Sequence, residues 1–227
     1  MDSVSAGTDA AGSVSTGSVW AIVVAAGGGQ RFGGAKQFEP LGTARVVDHA
    51  VAAAVASCDA VVLVLPPDRV WDGAPVDAVV AGAETRSGSV RAGLAAVPED
   101  AEVVVVHDAA RPLATVELFA AVVAAVRGGA DAAVPGIAIA DTLKRVDAER
   151  VVATLGRDDL VAVQTPQAFR AGSLRAAHAD APEATDDAGL VEAAGGTVVV
   201  VPGARANLKV TAPEDLRVAA ALLEEDA

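Results

Sequence analysis

The chain has 227 residues, 52% hydrophobic and 21% charged, enough apolar material for one large α/β domain or at most two small ones. A net charge of −13 with no basic stripe argues against a nucleic-acid binder; a small anionic ligand would need a site that concentrates positive charge locally. The single cysteine, Cys58, excludes an intramolecular disulfide framework and reads as a buried structural thiol of a cytoplasmic protein.

In chain order, residues 1–17 form a Ser/Gly/Ala tail without periodicity, expected to be disordered. Asp2 and Asp9 stand where a secretory signal would carry basic residues, and the apolar run after the tail, "VWAIVVAA", is too short to span a membrane. Strands are expected at 19–26, 60–66, 76–81, 102–108, 131–136, 160–165 and 196–203. Most are continuous apolar runs, as in parallel strands covered on both faces. Helices are expected between them, at about 43–57, 87–97, 115–127, 170–179, 186–194 and 213–224; Pro213 followed by "EDL" is a good helix start. The alternation predicts a single domain over 18–227, with helices on a mostly parallel sheet. Residues 137–160 break the pattern: two alternating strands flank a charged "VDAERV" turn, predicting a hairpin that projects from the body.

The stretch "VVAAGGGQRFGGAKQF", 23–38, carries a glycine-rich turn, Arg31 and Lys36. A P-loop needs Lys directly after glycine and then a hydroxyl residue, but Ala35 intervenes and Gln37 follows. A dinucleotide fingerprint started at Gly27 would place its third glycine on Phe32. What remains is a turn at the carboxyl end of the first strand, where glycines let backbone N–H groups approach an anion and two cations add charge. Only three of the 17 basic residues are lysines (Lys36, Lys144 and Lys209), which marks them as places where a compact ammonium is wanted.

Further strand ends repeat the theme. "VVVVHDAARP" ends with His107, Asp108 and Arg111 at its tip, suited to ribose, hydrated Mg²⁺ or phosphate. "GAETRSGSVRAGL" sets Thr85, Arg86 and Ser89 at a helix start, where free N–H groups favour anionic atoms. "QTPQAF" and "ANLKVTAPEDL" place Thr165 and Lys209 at similar positions.

Together, "AAGGGQRFGGAKQF", "GAETRSGSV", "HDAARP", "DTLKR", "QTPQAF", "TDDA" and "NLKVT" give the chain, from about 19 to 223, a form that resembles the 2-C-methyl-D-erythritol 4-phosphate cytidylyltransferase family of the non-mevalonate isoprenoid pathway. The resemblance implies a Rossmann-like three-layer α/β/α nucleotidyltransferase fold and a homodimer built by the protruding β-arm. It implies reaction of CTP with the methylerythritol phosphate, with Mg²⁺ carried mainly by the CTP phosphates and no dedicated metal ligand. By the same resemblance Arg31, Lys36 and Lys209 are catalytic. Ala25, Ala26, Gly27, Gly28, Gly29, Gly82, Glu84, Ser89 and Asp108 bind the nucleotide. Asp108, Arg111, Thr142, Arg157, Thr165, Thr185 and Lys209 bind the polyol phosphate, with Thr142 and Arg157 on the hairpin. The chain departs from the family at Ala83, where a second glycine is usual, at Glu84, where Asp is commoner, and in "TDDA" for "TDEA". The alternatives are a ribitol 5-phosphate cytidylyltransferase, sharing the CTP half, and a non-catalytic nucleotide-binding protein on the same fold.

Overall fold

The computed structural model describes residues 17–29 and 32–225. The expected tail therefore lies outside the described residues except for Gly17, whose carbonyl accepts from Arg127 Nη2 at 2.8 Å. β1 (Val19–Val24) leads through the glycine loop and a 3₁₀ turn to a minimal hairpin, β2 (Pro40–Leu41) and β3 (Ala44–Arg45), and then α1 (Val46–Ser57). There follow β4 (Ala60–Leu65), β5 (Ala78–Ala81), α2 (Arg86–Leu94), β6 (Val103–Asp108), α3 (Val116–Arg127) and β7 (Ala132–Ala138). After the arm strands β8 (Leu143–Asp147) and β9 (Arg150–Leu155) come β10 (Val161–Val163), β11 (Gln167–Arg170), α4 (Ala171–His178), α5 (Asp187–Ala193), β12 (Val198–Pro202) and α6 (Pro213–Glu225).

One sheet organises the molecule, in the order β10–β7–β11–β6–β1–β4–β5, with β12 also paired to β7. β1 is parallel to β4 and β6, β4 to β5, and β12 to β7, whereas β10 and β11 run antiparallel to their neighbours. Every residue of β4 and β6 is buried, the signature of strands covered on both faces. Val19, Ala21 and Val23 pack with α1 and α3 through Val47, Val51, Phe119 and Val122. Ile22, Val62, Val64 and Val104 pack on the opposite side with Val90 and Leu94 of α2, Leu174 of α4 and Leu190 of α5. This is the expected three-layer α/β architecture, set by the period-2 alternation of strand side chains. α6 adds a small cluster of its own, Ala219 against Leu41 and Val46.

Local chemistry sets the helix starts. Thr85, Thr115 and Asp186 accept from the backbone N–H groups of Gly88, Leu118 and Gly189 at 3.0, 3.3 and 3.2 Å, satisfying donors the helices cannot. Asp215 reaches back from the first turn of α6 and accepts from the N–H groups of Thr211 and Ala212.

Three expectations are corrected. β11 is a strand at residues to which the pattern assigned no element before the helix expected from about 170, because four residues between two central strands are too short for periodicity to show. The helix expected from 43 begins at Val46, since β3 occupies the preceding residues. Cys58 is only half-buried, just past the end of α1, although desolvation still pushes its thiol up to about 12. Among the described residues no helix is long and apolar enough to cross a membrane.

Candidate active site

The carboxyl ends of β1, β5 and β6 open on a cavity of about 530 Å³, the place where parallel α/β sheets take ligands. Its floor is the turn after β1: Ala25 through Gly29 line it, together with Lys36 and Gln37. Gly29 has φ +62°, and a Cβ there would lie 1.8 Å from the Gly34 carbonyl oxygen, so the loop closes only with glycine. Gln37 is buried and donates from Nε2 to the carbonyls of Ala25 at 2.6 Å and Gly27 at 3.0 Å. A glutamine therefore stands where a P-loop has a hydroxyl because its amide holds the loop backbone.

The opposite wall is the turn into α2, with Ala83, Glu84, Thr85, Arg86 and Ser89. Ser89 accepts from the Ala83 N–H at 3.1 Å and donates to the Thr85 carbonyl at 2.9 Å, fixing the turn from beneath. Gly82 lies behind it: a Cβ there would fall 2.2 Å from Ala26 Cβ and 3.0 Å from Ser89 Oγ, so both cavity walls depend on its small size. Ala83 takes the place of the usual glycine with negative φ, and thus without backbone strain.

Asp108, the last residue of β6, joins this cavity to a smaller one of about 120 Å³. Its Oδ1 faces Arg86 Nε at 3.2 Å and its Oδ2 faces Lys209 Nζ at 2.5 Å. Burial alone would raise the Asp108 pKa; the charges of Arg86 and Lys209 outweigh it and hold the carboxyl well below its ordinary range. Arg86, Asp108 and Lys209 line both cavities. The smaller one adds Arg111, Thr165, Gln167, Thr185 and Asp186. Arg111 donates to the carbonyl of Asn207 at 2.8 Å and makes no ion pair among the described residues. Desolvation pulls its pKa down, only partly opposed by Asp108, so this guanidinium is short of counter-charge.

His107 is fully buried and fully engaged. Its Nε2 faces the Arg111 carbonyl at 3.1 Å, which can only accept, so Nε2 carries the proton and Nδ1 accepts from Thr165 Oγ1 at 3.2 Å. Thr165 in turn accepts from the Asp108 N–H at 3.0 Å. Desolvation lowers the His107 pKa to about 4, leaving a neutral imidazole that braces the strand end.

The arrangement is a chain of cations beside a glycine-loop cavity, in a protein of strongly negative net charge. The family model for 2-C-methyl-D-erythritol 4-phosphate cytidylyltransferase matches residues 19–225. The chain belongs to this family. It is 47% identical over 223 residues to the 2-C-methyl-D-erythritol 4-phosphate cytidylyltransferase of Frankia casuarinae, covering 90% of this chain and 81% of that protein. It is 44% identical to the Bifunctional enzyme IspD/IspF of Clavibacter michiganensis, covering 91% of this chain but only 54% of that protein. Among solved structures, the 2-C-methyl-D-erythritol 4-phosphate cytidylyltransferase of Thermus thermophilus superimposes with a TM-score of 0.79 at 34% identity, covering 89% of this chain and 98% of that one.

For a cytidylyltransferase of this family, the structure gathers most of the residues expected from the sequence. Ala25, Ala26, Gly27, Gly28, Gly29, Lys36, Glu84, Ser89, Asp108 and Lys209 line the larger cavity, and Asp108, Arg111, Thr165, Thr185 and Lys209 the smaller. Gly82 lines neither and acts as packing. Thr142 and Arg157 lie on the arm, exposed and outside both cavities, where Arg157 Nη1 donates to the Ala140 carbonyl. Arg31 lies outside the described residues. Sequence reasoning noted Arg86 at a ligand-facing helix start without giving it a role, and read Gln37 only as a departure from the P-loop pattern. Arg86 was visible at the start of a helix, yet nothing local shows that Asp108, 22 residues on, will meet it.

Proposed function

We propose that this site transfers the cytidylyl group of CTP to the phosphate of 2-C-methyl-D-erythritol 4-phosphate, in isoprenoid precursor synthesis. The observation that carries the reading is the sharing of Arg86, Asp108 and Lys209 by the two cavities, so that groups bound in each meet over one charged trio. The larger cavity has the volume of a nucleotide site, with the glycine loop and Lys36 on the triphosphate and the turn at Ala83 and Glu84 on the base and ribose. The under-compensated Arg111 suits an anionic acceptor in the smaller one.

An oxygen of the acceptor phosphate attacks the α-phosphorus of CTP; the bond from that phosphorus to its bridging oxygen breaks, and pyrophosphate leaves with the electron pair. A phosphate monoester is already ionised near neutral pH, so no side chain has to remove a proton. His107 has neither nitrogen available for that task. The barrier is repulsion between anions. Lys36, Arg31 and Lys209 lower it by holding the reactants in line and neutralising charge in the transition state.

Among the described residues no three His, Cys, Asp or Glu side chains cluster as metal ligands, and the larger cavity presents the carboxylates of Asp108 and Glu84. That donor set fits Mg²⁺, which keeps its waters and takes one or two carboxylates beside phosphate oxygens. The triphosphate would carry it in the main, because both oxygens of Asp108 already face Arg86 and Lys209, and bound there it would supply further charge neutralisation.

The arm completes the site in a homodimer. Val146, Val151 and Val152 on β8 and β9 are 58%, 60% and 54% exposed, an apolar surface that a lone two-stranded hairpin leaves in water. A second subunit would cover it and receive Thr142 and Arg157 at its acceptor cavity. The substrates and the lone thiol point to a cytoplasmic enzyme. The test is pyrophosphate release by the purified protein, expected only when CTP, Mg²⁺ and methylerythritol phosphate are all supplied. Equal or faster turnover of ribitol 5-phosphate would transfer the assignment to that reaction, and no release with either acceptor would leave only a nucleotide-binding role.

A further inference from the structure

Arg86 touches two carboxylates, and only one of them belongs to the cavities. Its Nε faces Asp108 at 3.2 Å, while its Nη1 faces Asp187 Oδ2 at 2.7 Å. Asp187, the first residue of α5, has no exposed side-chain surface and lines neither cavity. Its other oxygen, Oδ1, faces Nε2 of buried His178, the last residue of α4, at 3.0 Å. A carboxylate only accepts, so His178 Nε2 donates there. One buried carboxylate thus ties together α2, α4 and α5, and the arginine it holds lines both cavities.

We propose that Asp187, braced by His178, is a positioning residue that fixes Arg86 for cytidylyl transfer. The inference rests on the function proposed above. A guanidinium is planar, and its N–H groups point in fixed directions. Anchored at Nη1 by Asp187 and meeting Asp108 through Nε, Arg86 has its plane fixed from two sides. The division matters equally for Asp108, which gives one oxygen to Arg86 and keeps the other for Lys209. Without Asp187 the whole fork of Arg86 is free to close on Asp108 in a bidentate pair and compete with Lys209 for Oδ2. Asp187 acts entirely through Arg86, since it reaches no cavity itself.

The test is a kinetic cycle on the full-length enzyme. Asp187→Asn keeps the shape and removes the charge; kcat is expected to fall about 10- to 100-fold, the scale seen when partners that orient a ligating side chain are lost, while KM for CTP moves by less than about 3-fold. Asp187→Glu, which restores the charge, is expected to recover most of the lost kcat. In an Arg86→Ala background, Asp187→Asn is expected to change kcat no further, because the residue it positions is gone. A staple between helices, with no part in positioning, instead predicts a lower melting temperature with kcat unchanged, or losses that multiply in the double variant; either result overturns the proposal. Should Asp187→Asn fail to fold, His178→Leu removes the donor to Oδ1 while leaving Asp187 and Arg86 in place, and wild-type kcat in that variant overturns the proposal as well. A wild-type enzyme inactive with CTP and methylerythritol phosphate would instead overturn the function on which the inference stands.

Discussion

Lys36 shows how much one residue depends on its setting. It follows Gly33, Gly34 and Ala35 in sequence and lines the larger cavity; burial alone would raise the nearby Asp215 carboxyl, but hydrogen bonds from Thr211 and Ala212 lower it, with the charge of Lys36 a lesser contribution. Removing one donor to a transition state usually costs about 10²–10³ in kcat, and Lys36→Ala is expected to do so. Its unfolding free energy should stay within about 1 kcal/mol of wild type, because the side chain belongs to a loop and not to the core. Steady-state kinetics paired with denaturant unfolding checks both halves. Near-normal kcat, or a variant that no longer folds, would show Lys36 to be structural. Gln37 is its counterpart: adjacent in sequence, buried, and committed to the loop backbone through Ala25 and Gly27.

Among the elements, the hairpin of β8 and β9 bears most on function. It forms its own two-stranded sheet, with Arg145 paired to Ala153 and Val146 to Val151 across a bulge. Its strands are exposed at most positions, unlike the fully buried β6 at the centre of the main sheet. If it serves a partner subunit, two inactive enzymes should rescue each other. Lys36→Ala and Arg157→Ala are expected to regain activity when mixed under conditions that allow subunit exchange. In a mixed dimer with crossed arms one site collects both lesions and the other has neither. Arms that serve their own subunit leave one lesion in every site, and no activity returns. Exchange is verified separately with differently tagged chains.

At the scale of the whole molecule, the buried strand tip of β6 couples the site to stability. His107 takes up a proton near pH 6.5 in an unfolded chain but only near 4 in the folded one, because burial disfavours its charged form. The unfolded state therefore binds more protons between these values. The stability contributed by a neutral His107 is complete above about pH 6.5 and is lost as pH falls toward 4, on the order of 3 kcal/mol over the window. Asp108, whose pKa is depressed, adds its own loss only below the ordinary carboxylate range. Unfolding free energies measured by denaturant at pH 7 and pH 5 should show the decline, and His107→Gln should be less stable at pH 7 with a flatter profile. An unchanged slope in that variant would assign the pH dependence to other groups.

The sequence by itself determined the layers. Continuous valine-rich runs such as "VVVV" at 103–106 have no polar face to leave in water, so they become central strands, and the intervening amphipathic segments must cover them. The glycine loop and the tips at Asp108 and Lys209 were legible for the same local reason: the turn after a buried strand is where polar residues can sit. What only the tertiary structure decided was which tips meet. β11, four residues long and reversed between β6 and β7, pairs Gln167 with Val106 and so brings Thr165 to the Asp108 backbone, 57 positions away. Arg86, Asp108, Asp187 and Lys209 come from four separate parts of the chain, and no spacing rule links them. Periodicity reports how a segment faces its immediate surroundings; the ion pairs of the site depend on sheet order, which is fixed only when all the layers pack at once.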